Sequence, residues 1–179
     1  MDISSYPGLR LTYAGRILTV TLDRPEQLNA ADEVMHGSIA RVFNDCADDR
    51  ETDVVILTGA GKAFSAGGDY KAMQLSIDNP GRFDRLAVEA KRIVFSMLDC
   101  PKPIIAKVNG HAIGFGATLA LFSDIVFAAS HARIGDPHVL VGYVAGDGGA
   151  AIWPQLIGYA KAKEFLFTGG LLTAVEAEK

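Results

Sequence analysis

Asp53-Val54-Val55-Ile56-Leu57-Thr58, closed by Gly59-Ala60-Gly61, is the stretch that decides the fold class. Its centre is apolar and β-branched with no polar alternation, and it stops at a glycine turn. That is the pattern of a strand buried on both faces in a parallel sheet. Upstream, Leu9 to Tyr13 and Ile17 to Leu22 alternate and flank Ala14-Gly15-Arg16, which predicts an antiparallel hairpin with one wetter face. Met35, Ile39, Val42, Phe43 and Cys46 then mark one helical stripe, with Asp32 placed as its N-cap. Downstream the cycle recurs. Phe83, Leu86, Ala90, Ile93, Val94 and Met97 predict a second amphipathic helix, which Pro101 and Pro103 close. Ile104 to Asn109 predicts another buried strand. Strand, helix, strand in this order implies an α/β fold with right-handed crossovers. A short apolar helix to about Phe122, a strand over Ile125 to Ala129 and a β-like piece over Ala132 to Gly135 follow. Helices are then expected over Ala150 to Ile157 and Ala160 to Phe167.

The 179 residues, 49% of them hydrophobic, suffice for one core, and residues 1–179 read as a single domain. Seventeen basic against 21 acidic residues give a net charge of −4, with the Lys and Arg scattered, so nucleic-acid binding has no support. No apolar stretch approaches the roughly 20 residues needed to span a bilayer. Cys46 and Cys100 lack CxxC or Cys/His metal spacing, and the N-terminus lacks a charged-then-apolar leader pattern. The expectation is a cytoplasmic protein with two reduced thiols, no metal site and no membrane span.

Two glycine-spaced turns, Phe64-Ser65-Ala66-Gly67-Gly68-Asp69 and Gly110-His111-Ala112-Ile113-Gly114-Phe115-Gly116, follow strands and precede helical segments. Ligands in α/β folds sit beyond the carboxyl ends of strands, and free N–H groups at a helix start bind developing negative charge. The pair could form an oxyanion hole, although glycine turns after strands also arise for purely steric reasons. Neither turn is a full GxGxxG, and Gly59 to Lys62 lacks Walker spacing. A second candidate region is Asp136-Pro137-His138 with Asp147. A carboxylate beside an imidazole can orient it for general-base work, but a lone turn histidine and a helix-capping aspartate are the bland alternative. By periodicity His36 sits at the boundary of the first helix's apolar stripe.

These segments together resemble the crotonase (enoyl-CoA hydratase/isomerase) superfamily from about Leu9 to Lys179. The resemblance is carried by Arg24-Pro25 with Leu28-Asn29-Ala30, Val54 to Gly59 with Ala63 to Asp69, and Pro103 to Ala106 with Asn109 to Gly116 and Ser123 to Val126. It implies a spiral of ββα turns, a homotrimer or hexamer, and a CoA thioester substrate with no tightly bound cofactor. The thioester carbonyl would lie between the backbone amides of Ala66 and Phe115. Leu28, Ala30, Ala66, Asp69 and Tyr70 match positions on the CoA side.

The chain departs from that pattern where hydratases carry two glutamates: the matching positions hold Thr118 and His138. Thr118 is no base near neutral pH. The only carboxylate in the region suited to isomerase chemistry is Asp147. His36, His138 and Asp147, with Ala145 to Gly148 and Trp153-Pro154, are also similar to the pattern of 6-oxocamphor hydrolase and related β-diketone hydrolases. That similarity implies C–C cleavage with His138, oriented by Asp147, activating water and His36 assisting across the cleft. Three readings therefore stand: a hydratase/isomerase-like acyl-CoA enzyme, a His/Asp-dependent hydrolase of a 1,3-dicarbonyl or its CoA thioester, and an inactive acyl-CoA-binding or scaffold protein. The family's C-terminal helical region is expected to be missing, since the match ends at Thr168-Gly169, Thr173-Ala174 and Glu176-Ala177.

Overall fold

The computed structural model describes Met1–Lys179. The hairpin forms as expected: β1 (Leu9–Ala14) pairs antiparallel with β2 (Ile17–Leu22) through a two-residue turn at Gly15-Arg16. β2 then pairs in parallel with β3 (Val54–Gly59), β3 with β4 (Ile104–Val108), and β4 with β6 (Ile125–Ala128), giving a five-stranded sheet ordered β1-β2-β3-β4-β6. A second sheet, ordered β5-β7-β8, holds β5 (Ala112–Ile113), β7 (Arg133–Gly135) and β8 (Leu171–Thr173).

The chain alternates between the two sheets. β3 leads to a bridge between Ser65 and Ala112, and then to helices α2 (Tyr70–Asp78) and α3 (Pro80–Leu98). β4 leads to β5 and α4 (Phe115–Leu121), and β6 leads to β7 and α5 (Gly149–Thr168). This is the expected spiral of ββα turns. α6 (Ala174–Glu178) ends it with a capping box between Thr173 and Glu176.

Helix α1 (Glu33–Asp48) starts where Asp32 accepts a hydrogen bond from Met35 N at 2.9 Å, and it buries Met35, Ile39, Val42, Phe43 and Cys46. These meet Leu18, Val20, Val55, Leu57, Ile104 and Ala106 from the sheet in a core of 28 residues. A fully enclosed Phe43 or Leu18 contributes on the order of 2 kcal/mol. Burial pushes the Cys46 thiol up to about 12, as suits a plain core residue.

Three expectations change. β3 is not sealed on both faces: Val55 and Leu57 are buried, while Val54 and Ile56 are half-buried, because α1 and α3 cover one side of the sheet. The apolar stripe of α3 divides. Ile93 and Met97 enter the core, whereas Phe83, Leu86, Ala87 and Ala90 face a cleft. The two C-terminal helices of the sequence reading run on as α5, broken in φ/ψ at Gly158 between them. No helix is long and apolar enough to cross a membrane.

Candidate active site

The two glycine turns lie side by side. Ile113 N donates to Ser65 O at 2.9 Å, Ser65 N donates to His111 O at 3.1 Å, and Gly114 N donates to Gly135 O at 2.8 Å. Gly67 has φ +97, and an added Cβ would meet Ile113 O at 2.8 Å, so only glycine lets the first turn approach the second. Gly114 (φ +54) turns the chain into α4 and leaves Phe115 as the first residue of that helix, where its N–H has no carbonyl a turn earlier to bond.

The first expected amide is corrected by the structure. Ala66 N–H donates to Leu28 O at 2.9 Å, and Ala66 does not border the cleft. Two residues on, Gly68 N–H has no acceptor in the protein, and Gly68 lines the cleft together with Phe115. The turn presents alternate amides to its two sides, so moving from Ala66 to Gly68 keeps the segment and changes the donor.

The cleft, of about 220 Å³, runs between α1, α3 and the turn ahead of α5. His138 stands at its inner end, 3.3 Å (Cε1) from where a Cβ on Gly114 would lie. Its Nδ1 is hydrogen-bonded to Asp136 Oδ1, and its backbone N–H donates to the same oxygen at 3.3 Å. Nε2 lies 3.6 Å from Asp147 Oδ2. The residue that holds the ring is therefore Asp136, and Asp147 faces the other nitrogen; the expected orienting role moves by one partner. The Asp-x-His spacing of Asp136 and His138 was the available signal for it. Burial opposes a charge on His138, but the Asp136 hydrogen bond and the charges of Asp147 and Asp136 outweigh it, so the imidazole titrates above its ordinary 6.5. Burial pushes Asp147 above the usual carboxylate range, against the pull of His138, Gly149 N–H and the Thr118 hydroxyl. Thr118, where a glutamate was expected of a hydratase, donates from Oγ1 to Asp147 Oδ1 at 3.2 Å. The donor atoms of Asp136, His138 and Asp147 all lie within 4.8 Å of one another, with the imidazole between the two carboxylates.

His36 reaches the same cleft from α1. Its Nδ1 is 2.9 Å from Glu89 Oε2 on α3, and its ring lies 5.1 Å from that of Phe115, tilted by 35°. Glu89 gave no sequence signal, because it falls among the polar residues of an amphipathic helix.

The expected CoA-side residues are mostly not cleft residues. Asp69 lines the cleft, caps α2 through Lys71 N at 2.9 Å and lies 3.4 Å from Arg24. Leu28 and Tyr70 are exposed at the surface, and Ala30 offers its carbonyl to Arg24. Asn29 is wholly buried in left-handed backbone; it accepts from Arg24 N and donates to Ala60 O and Ala63 O at 2.8 and 2.9 Å. It ties the loop to the first glycine turn.

The enoyl-CoA hydratase/isomerase family profile matches residues 12–179. This chain belongs to that family. A probable mitochondrial enoyl-CoA hydratase from Dictyostelium discoideum is 39% identical over 92% of this chain and 58% of its own length. The 1,2-epoxyphenylacetyl-CoA isomerase of Escherichia coli K12 is 35% identical over 91% of this chain and 63% of its own. Among solved structures, an enoyl-CoA hydratase/isomerase from Mycobacterium paratuberculosis superposes with a TM-score of 0.94 at 36% identity, covering 99% of this chain and 70% of that one. The α/β crotonase-like fold is thus established. The chain spans 58 to 66% of the length of the first two curated relatives it matches. The Dictyostelium hydratase and the Escherichia coli isomerase carry different reaction names, so family membership alone does not choose a reaction.

Proposed function

We propose that this chain carries an acyl-CoA thioester site in which Gly68 N–H and Phe115 N–H hold the thioester oxygen as negative charge develops on it, while His138 and Asp147 move the proton. The observation that supports it is the meeting, in one cleft, of two amides without protein acceptors and a half-buried imidazole held between two carboxylates. Two donors aimed at one oxygen favour an enolate over the neutral carbonyl, and losing one such donor costs about 3 kcal/mol. Burial raises the Asp147 carboxyl above its ordinary range, and the hydrogen bond and charges of the two carboxylates raise the His138 imidazole, so both groups are proton carriers tuned by the same pocket. A base takes a proton from the carbon next to the thioester, the electron pair moves onto the oxygen between the amides, and reprotonation at another carbon completes the transfer. Paired-glutamate hydration is disfavoured, because the position of one glutamate holds a buried threonine engaged with Asp147.

A second reading is favoured by the Asp136 to His138 hydrogen bond. An imidazole held in this way suits water activation: hydroxide adds to a ketone carbon of a 1,3-dicarbonyl, the C–C bond breaks, and the departing carbon leaves as an enolate that takes up the proton. In either reading coenzyme A enters as part of a substrate. A homotrimer or hexamer is supported by edge strand β6, whose Ile125 and Phe127 are 47% and 64% exposed.

The test is incubation with crotonyl-CoA, an alkyl-acyl-CoA and a cyclic β-diketone in deuterated, oxygen-18-enriched water, read by mass. Deuterium entering the thioester, lost in His138→Ala and Asp147→Asn, supports the first reading. Oxygen-18 in a new carboxylate supports the second. Incorporation of neither label sinks both and leaves the scaffold reading.

A further inference from the structure

His36 is 9% exposed and lines the cleft, yet only one of its ring nitrogens has a partner in the protein. Nδ1 faces the Glu89 carboxylate, which only accepts, so Nδ1 carries the proton. Nε2 is then an acceptor in the neutral ring and a donor in the charged one, and in both states it needs a polar partner. No side chain or backbone group of the chain supplies one. The ring cannot swing away to find one, because Glu89 holds one edge and Phe115 packs against it with ring centres 5.1 Å apart.

The two walls of the cleft also differ. α3 offers Phe83, Leu86, Ala87 and Ala90, whereas α1 offers Asp32, Glu33 and His36. A purely alkyl acyl chain would satisfy the first wall and displace water from the second, leaving His36 Nε2 unpaired. Such a mismatch discriminates strongly, since a site built to bond a hydroxyl or carbonyl rejects the analogue that lacks it.

We propose that His36, held by Glu89, is a specificity residue that selects an acyl group bearing a hydroxyl or oxo oxygen over a plain alkyl one. The inference rests on the acyl-CoA reading above and names the substrate class for the same site. A hydroxyl suits both states of the ring, donating to neutral Nε2 or accepting from the cation.

The experiment compares binding of butyryl-CoA, 3-hydroxybutyryl-CoA and acetoacetyl-CoA by calorimetry, for the wild-type protein, His36→Phe and Glu89→Gln. The wild type should prefer the oxygenated thioesters by about tenfold, the discrimination one hydrogen bond provides. His36→Phe should bring that ratio close to one by weakening only the oxygenated ligands, and Glu89→Gln should give a smaller loss. Circular dichroism checks that both variants fold, and Glu89→Gln, whose side chain lies behind the cleft, keeps the test open if His36→Phe does not. Binding of all three thioesters with equal affinity, or a preference that persists in both variants, overturns the specificity role and leaves the acyl-CoA reading standing. Failure of the wild type to bind any of them overturns the acyl-CoA reading and this inference with it.

Discussion

Nε2 of His138 stands 3.6 Å from Asp147 Oδ2, while Nδ1 of the same ring is bonded to Asp136, so one imidazole separates a buried carboxylate from a half-buried one. Each carboxylate would repel the other without it. Stability and chemistry at the site are therefore linked through one proton.

The first consequence is a pH dependence of stability. His138 is raised above 6.5, so the folded state holds its proton more tightly than the unfolded state does. The stability it contributes is fully present below pH 6.5 and is lost as pH rises through the folded value. Asp147 is raised as well, and its contribution falls in the same direction at lower pH, from its ordinary 3.8 upward. Urea unfolding followed from pH 6 to pH 9 should show falling stability in the wild type and a flatter curve in His138→Gln; parallel curves would refute the linkage.

Asp136→Asn keeps the shape of the side chain but removes the charge that fixes the Nδ1 proton. The rate of proton exchange into a bound acyl thioester should fall about 10²-fold, within the usual worth of a positioned acid or base. The affinity for the thioester should stay within a factor of about three, since Asp136 is not a cleft-lining residue. A rate within twofold of wild type would count against His138 as the proton carrier.

Thr118→Val removes a hydrogen bond that lowers the Asp147 pKa. The acidic limb of the pH-rate profile should move to higher pH while the His138 limb stays in place. An unmoved acidic limb would mean that Asp147 does not titrate in the reaction.

Gly149→Ala drives a Cβ into Asp136 Oδ2 and places it 3.1 Å from the Ala145 Cβ. Backbone or carboxylate must shift, so chemical denaturation should show a loss of about 2 kcal/mol, together with a lowered exchange rate. A neutral outcome would show that the turn before α5 is free to move.

Asn29→Ala strips one acceptor and two donors from the wholly buried loop between Arg24 and the first glycine turn. The groups left unpaired predict a loss of about 3 kcal/mol. Because the same loop supplies Leu28 O to Ala66 N, the affinity for an acyl-CoA should weaken as well. Thermal unfolding and calorimetry check the two effects separately.

The hairpin, the α1 stripe, the parallel strands and both glycine turns were legible in the sequence, because each follows from a local rule: alternation, 3.6-residue spacing, or a glycine where the chain must bend. Phe115, His138, Asp147 and His36 were legible as candidates because their segments were. The sequence also determined that no glutamate stands at positions 118 and 138. Only the tertiary structure decided which amide of the first turn is free. That depends on Leu28 O, from a loop 38 residues upstream of Ala66, taking the Ala66 N–H. It decided that Asp136 holds the His138 ring and that Asp147 faces its far edge, because two carboxylates of equal chemistry are distinguished only by where Gly148 and Gly149 turn the chain. It also brought Glu89 from α3 to His36 on α1, a pairing set by the packing of two helices 53 residues apart and by no local preference of either.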